Sequence, residues 1–260
     1  MVNEFQHNEW ALILGGSSGL GLATAKKLAQ EGLNIFIVHR DPRSQMTLNE
    51  SAFEEIKQFG VQLLSLNKDA LRPETIENTL DQLAEKGLVK VLVHSIAKGN
   101  LKPMIAAEES TLQSDDFLLT TNAMAVSFYT WTKGIHDRKL FAENAKVLAF
   151  TSEGSVKAWR HYAAVSAAKS ALEAIMRNIA LEFAPFGITA NCIQAGVTDT
   201  ESLRRIPGSD SLKEFAIKRN PFGRLTTPED VANAVYLLCK KEAQWINGTI
   251  LKVDGGESIN

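Results

Sequence analysis

The chain contains 260 residues, of which 45% are hydrophobic and 22% charged, with a formal net charge of -2. That is material for a soluble globular protein with a full buried core, and the charge balance supplies no general attraction for nucleic acid or an anionic membrane surface, neither of which is expected as a partner. The two cysteines, Cys192 and Cys239, lie in apolar runs, so buried thiols in a reducing cytoplasm are expected rather than a disulfide framework.

The opening MVNEFQHNEW has no basic stretch leading into an apolar core, and nowhere do about 18 apolar residues run uninterrupted, so neither a signal peptide nor a membrane span is expected. Short β-type runs then alternate with longer amphipathic stretches. Trp10 to Leu14, Asn34 to Val38, Gln62 to Leu66, Val89 to Val93, Lys146 to Phe150, Ile188 to Ile193 and Thr249 to Val253 read as strands. Each is too apolar to keep one wet face, as in a parallel sheet covered by helices on both sides. The pattern predicts an α/β, doubly wound Rossmann fold with a seven-stranded parallel sheet, as a single catalytic domain over residues 1–260. Leu172, Ile175, Met176, Ile179 and Phe183 mark one buried stripe of a long helix. Gly32, Gly60, Gly87 and Gly187 follow helical patterns and are expected as left-handed caps. No clear period runs from Ala195 to about Ser211, and residues from about 195 to 220 are expected to form a substrate lid.

Directly after the first strand comes Gly15-Gly16-Ser17-Ser18-Gly19-Leu20-Gly21, followed by Ala23, Ala25 and Leu28 at helical spacing. Glycines let the backbone approach a pyrophosphate, while the following helix offers free N–H groups and partial positive charge to the anion. Gly15, Ser17, Ser18, Gly19, Leu20 and Gly21 are therefore expected cofactor contacts. The second strand ends in Val38-His39-Arg40-Asp41, where NAD-binding folds keep an acid for the ribose 2′-OH. Arg40 can pair a 2′-phosphate bidentately and His39 is no acid, so NADPH is the expected cofactor. Asp41, ahead of Pro42 and Arg43, is expected to be an exposed turn residue.

The Gly-x-x-x-Gly-x-Gly spacing of Gly15, Gly19 and Gly21 resembles the short-chain dehydrogenase/reductase family, and the resemblance runs from about residue 8 to residue 258. Asp69, followed by Ala70, resembles the family's adenine-binding acid. Asn122 falls where the family keeps a helix asparagine that supports a proton-relay water. Ala195-Gly196-Val197-Thr198-Asp199-Thr200 resembles the loop that meets the nicotinamide carboxamide, which implies contacts from Gly196, Val197 and Thr200. Val253-Asp254-Gly255-Gly256 resembles the family's C-terminal signature. The family's usual second basic residue, before the middle glycine, is replaced by Ser18.

Most members place the catalytic tyrosine four residues before its lysine. Here Val165 holds that place before Lys169, and Tyr162 lies seven before it, a spacing that resembles the enoyl-acyl carrier protein reductase branch. Ser170-Ala171-Leu172-Glu173-Ala174 is similar to the same branch, as is Val93-His94-Ser95-Ile96-Ala97, whose Ser95, Ile96 and Ala97 are implied cofactor contacts. On one helix face the two tyrosine positions differ by about 4.5 Å of rise. A displaced phenol suits an enoyl thioester, in which hydride reaches the β-carbon and charge develops on the thioester oxygen two bonds away. Tyr162 is thus expected as oxyanion donor and Lys169 as holder of the nicotinamide ribose. The implied reaction is NADPH-dependent reduction of a 2-enoyl thioester on acyl carrier protein in fatty-acid synthesis.

Ser152, which matches the family's usual catalytic serine, keeps open a ketone or hydroxyl oxidoreductase of 3-oxoacyl or hydroxysteroid type. A non-catalytic NADP-binding sensor is the alternative from another class. His7, His39, His94, His136 and His161 show no ligand spacing, so no metal site is expected. His94 is expected to orient the loop after strand four, and His161 to be structural or substrate-lining. Trp159, Phe215 and Phe222 are candidates for the wall of an acyl channel, with core packing as the alternative. Arg204, Arg205, Lys213, Lys218 and Arg219 form a basic cluster that either docks an acidic carrier protein or is a solvated face. The resemblance implies a homotetramer.

Overall fold

Each of the seven apolar runs forms a strand in a computed structural model that describes residues 5–260; residues 1–4 of the expected domain lie outside the described residues. The chain order is β1 (Glu9–Leu14), α1 (Gly19–Gln30), β2 (Asn34–His39), α2 (Met46–Lys57), β3 (Leu63–Asn67), α3 (Pro73–Lys86) and β4 (Leu88–His94). It continues through α4 (Ser114–Thr121), a π-turn (Asn122–Val126), α5 (Ser127–Asp137), β5 (Phe141–Thr151), α6 (Ala163–Glu182) and β6 (Thr189–Ala195). Helices α7 (Glu201–Arg204), α8 (Ser209–Arg219) and α9 (Pro228–Cys239) precede β7 (Ile250–Val253).

The strands pair in parallel in the order β3-β2-β1-β4-β5-β6-β7. Alternate side chains feed two cores. Leu12 and Leu14 meet Leu80 and Leu83 of α3, Trp131 of α5 and Met176 of α6, whereas Ala11 and Ile13 meet Leu28 of α1, Ile56 of α2 and Val235 of α9. This two-sided burial explains why the strands read as apolar runs without alternation. Sheet growth reverses between β1 and β4, and at such a switch point a crevice opens beyond the strands' carboxyl ends.

Gly32, Gly60 and Gly187 take φ of 94°, 80° and 75°, as expected of left-handed caps. Gly87 does not: its φ of 154° and ψ of -151° lie outside the left-handed helical region, in a positive-φ region open mainly to glycine. A Cβ there would stand 1.9 Å from the Asn8 carbonyl oxygen, so close passage of the chain before β1 demands this glycine. Both cysteines are buried free thiols, and burial pushes Cys192 up to about 12. No helix among the described residues is long and apolar enough to cross a membrane.

Candidate active site

The glycine turn leaves β1 at the switch point. Gly15 (φ 84°) donates its N–H to the Val38 oxygen at 2.8 Å, tying the turn to β2. A Cβ on Gly15 would lie 2.6 Å from the Ser95 oxygen, and one on Gly21 would lie 2.2 Å from the Gly15 oxygen, so side chains there would break the cradle. Ser18 is the extended N-cap of α1, and its side chain makes no cap hydrogen bond. The first-turn N–H groups are thus left to an anion. A cleft of ≈ 440 Å³ begins here, and Gly15, Ser17, Ser18, Gly19 and Leu20 line it. Arg40, Asp69, Ala70, Ser95, Ile96, Ala97, Lys169 and Thr200 line it further along. Gly21 stands behind the turn, whereas Gly196 and Val197 line a neighbouring cavity instead. Size, glycine cradle and open helix end fit a dinucleotide.

At the cleft's far end Arg40 Nη1 donates to Asp69 Oδ2 at 2.6 Å, with Lys98 Nζ 3.5 Å from the same oxygen. Asp41 is not the exposed turn residue expected. Its carboxylate accepts from His39 Nδ1 at 2.7 Å and Asn49 Nδ2 at 2.8 Å. Burial pushes its pKa up, but hydrogen bonds from Ser17, His39 and Asn49 outweigh this and hold it below the usual range. The acid nearest the ribose position is therefore committed to bonds within the protein, while Arg40 is 63% exposed on its side chain.

Tyr162 precedes α6 as its N-cap, with φ -113° and ψ 1°. The seven-residue step to Lys169 thus starts just outside the helix rather than on its face. Its buried ring lies 5.3 Å from Trp159, and its Oη is 3.5 Å from Ser152 Oγ. Burial raises the Tyr162 pKa, keeping the phenol protonated as a donor. Lys169 donates to the Phe150 oxygen at 2.7 Å, and burial pushes its pKa down to about 8. His161, at φ 62°, makes the turn into the helix and lines neither cavity.

Asn122 is not brought to the site. It is exposed and lines neither cavity; Thr120 and Met124, one turn apart, are buried and share a face, and the residue midway points the other way. Met124 lines both cavities. His94 ties β4 to α5: Ser127 Oγ donates to the Ala123 oxygen at 2.8 Å, so His94 Nε2–H must donate to Ser127 Oγ, also at 2.8 Å. Burial, assisted by the Lys169 charge, pushes His94 down to about 3, so it is a neutral strut.

The second cavity, ≈ 190 Å³, lies beside the first; Leu20, Ala97, Met124, Tyr162 and Thr200 line both. Leu101, Trp159 and Val165 supply apolar wall, and Leu203, Ile206 and Leu212 close it from the expected lid, where α7 and α8 give that segment regular structure. Phe215 and Phe222 are 58% and 78% exposed and do not line it. The basic cluster is mostly neutralised in place. Arg204 pairs with Asp199, Arg205 with Glu201, and Lys213 with Asp199 and Asp210. Arg219 is buried between Glu153 and Glu257. Glu153, Glu257 and Ser258, which line this cavity, carry no sequence motif that would have found them.

A nicotinamide-dependent oxidoreductase is the class that this switch-point cleft, with its tyrosine and buried lysine, defines. A family model described as enoyl-(acyl carrier protein) reductase matches residues 15–258, and the chain belongs to the short-chain dehydrogenase/reductase family. It is 29% identical to the peroxisomal 2,4-dienoyl-CoA reductase of Mus musculus over 252 residues, covering 95% of this chain and 82% of that protein. It is 30% identical to a tropinone reductase homolog of Arabidopsis thaliana, covering 96% and 94%. The crystal structure of enoyl-[acyl-carrier-protein] reductase (NADH) from Aquifex aeolicus VF5 superposes with a TM-score of 0.82 at 27% identity, covering 97% of each chain.

Proposed function

We propose that this protein reduces the C2=C3 double bond of a 2-enoyl thioester with NADPH. One observation carries the reading: Tyr162 lines both the cofactor cleft and the apolar cavity, Val165 fills the family's usual tyrosine place, and Ser152 lines neither space. A phenol at that junction, with Ser152 behind it rather than at the cavity surface, suits an oxygen remote from the carbon that is reduced.

The nicotinamide, when bound, supplies a hydride equivalent, which the substrate accepts at C3. Tyr162 Oη–H donates to the thioester oxygen as enolate charge develops, the kind of contact worth about 3 to 4 kcal/mol in other enzymes. Protonation of C2 from solvent completes the addition of two hydrogens. Lys169 holds the ribose and adds positive charge near the phenol, and the apolar walls exclude water. Gly15, Ser17, Ser18, Gly19 and Leu20 hold the pyrophosphate, and Arg40 meets a 2′-phosphate. The enzyme works in the cytoplasm, where its two thiols remain reduced.

The dienoyl-CoA and enoyl reductase relatives support the substrate class, and the tropinone reductase homolog supports the competing ketone reading. Acyl carrier protein is the proposed carrier on the strength of the family description, since the paired arginines offer no free basic face. Exposed Leu118, Leu119, Val126 and Tyr129 beside the π-turn support assembly into a homotetramer. Nicotinamide absorbance followed with crotonyl thioesters of both carriers, with a ketone panel, and with NADPH and NADH tests the reading. Turnover of ketones but not crotonyl thioesters rejects it, and tight NADPH binding without any turnover makes the protein a sensor.

A further inference from the structure

The cavity beside Tyr162 ends in a polar wall. Arg219, the last residue of α8, is 10% exposed on its side chain. It donates from Nη1 and Nη2 to Glu153 at 3.2 and 2.8 Å, and from Nη2 to Glu257 Oε1 at 2.5 Å. Glu257 Oε2 accepts the Val197 N–H at 2.9 Å, and Lys157 Nζ reaches Glu153 Oε1 at 2.6 Å. Two acids and two cations balance, and both carboxylates are used up in holding the guanidinium fork and the loop after β6.

Two groups in this wall are not used up. Arg219 Nε and Ser258 Oγ are buried, and neither has a hydrogen-bond partner among the described residues, although both residues line the cavity. Only five buried side-chain polar atoms among the described residues are in that position, and two of the five belong to residues of this wall. Native proteins keep few such groups, because each costs about 1–3 kcal/mol when nothing meets it. A cavity shaped only for a hydrocarbon tail would gain nothing from a desolvated ion network at its end.

We infer that the cavity takes a compact substrate carrying, away from its reducible bond, a neutral oxygen that accepts from Arg219 Nε–H and exchanges a hydrogen bond with Ser258 Oγ. A hydroxyl, ketone or amide carbonyl meets this description. A carboxylate does not, since two glutamates stand in the wall and the network is already neutral. The volume of ≈ 190 Å³ keeps the substrate short. The inference rests on the proposed function for the reacting end, which Tyr162 holds.

The test uses saturated ligands that cannot be reduced. Pentanoyl, 5-hydroxypentanoyl and glutaryl thioesters of coenzyme A are titrated calorimetrically into the protein saturated with NADPH. The hydroxyl ligand is expected to bind about 5- to 10-fold tighter than the methyl-ended one, as one or two net hydrogen bonds allow, and the glutaryl ligand more weakly than the hydroxyl. Ser258→Ala is expected to bring the hydroxyl ligand close to the methyl-ended one. Equal or weaker binding of the hydroxyl ligand, no binding by any of the three, or an equal loss for both ligands in Ser258→Ala overturns the inference. If crotonyl thioesters are not reduced while the hydroxyl preference persists, the enoyl reading fails and the polar wall stands.

Discussion

Tyr162 and Ser152 face each other across 3.5 Å between Oη and Oγ, yet only the tyrosine reaches the two cavities. That distance is at the outer limit of a hydrogen bond. Tyr162→Phe should therefore lower kcat for a crotonyl thioester about 10²- to 10³-fold, the usual loss of an oxyanion donor, with NADPH affinity unchanged by fluorescence titration. Ser152→Ala should cost less than about 10-fold, as expected of a weak support to another donor. Equal losses in the two variants would instead describe a serine–tyrosine pair acting on a ketone.

Gly154 lets the phenol sit where it does. A Cβ at this position would stand 2.5 Å from Tyr162 Cε1 and 3.2 Å from Ser152 Oγ. Gly154→Ala must displace the ring, and a shift near 1 Å in a reacting group costs about 10²-fold. The expected result is a fall in kcat of that order with an unchanged Kd for NADPH, which stopped-flow single turnovers and a binding titration measure together.

Lys169 couples activity to pH and stability. Its pKa falls from 10.5 to about 8 on folding through burial, which at about 1.36 kcal/mol per pKa unit is a cost of about 3 kcal/mol while the lysine is charged. Below pH 8 both folded and unfolded chains carry the proton and the cost is constant. Between pH 8 and 10.5 the unfolded chain binds more protons, so this group's contribution to stability improves as pH rises. Lys169→Met should raise Tm at pH 7, by about 2–4 °C for each kcal/mol recovered, and the gain should shrink above pH 8 in calorimetric scans. In the wild type kcat/KM should decline as pH passes about 8, where the free enzyme loses this charge.

Much of this was legible in the chain. The seven strands showed because burial on both faces requires runs such as Ala11 to Leu14 to be wholly apolar, and the glycine turn because Gly15 and Gly21 have no room for a Cβ. What was hidden depends on partners distant in sequence. Arg219 reads as one more cation of a basic cluster until Glu153, 66 residues earlier, and Glu257, 38 later, are folded around it. Asp41 reads as a turn residue until His39 and Asn49 close on it. Asn122 reads as a site residue until Thr120 and Met124 pack inward and set the helix phase, which the pattern Thr-Asn-Ala-Met-Ala does not reveal.

The adenosine end determines which cofactor is used. Asp41 spends its carboxylate on His39 and Asn49, and Arg40 is held at the cleft by Asp69. Arg40→Ala should raise KM for NADPH about 10- to 100-fold, the cost of a lost charged hydrogen bond of about 1.5–3 kcal/mol, with KM for NADH little changed. Initial rates with both cofactors decide it, and equal effects on the two would assign Arg40 to shaping the cleft alone.

The position of Tyr162 requires that hydride reach C3 rather than a carbonyl carbon, and isotope transfer reports which carbon receives it. NADPH carrying deuterium at the transferable position of C4 is incubated with the protein and a crotonyl thioester, and the product is analysed by NMR. The expected product is a butyryl thioester with deuterium at C3 and a solvent-derived hydrogen at C2. Deuterium found instead on the carbinol carbon of an offered ketone, with the crotonyl double bond left intact, would contradict it.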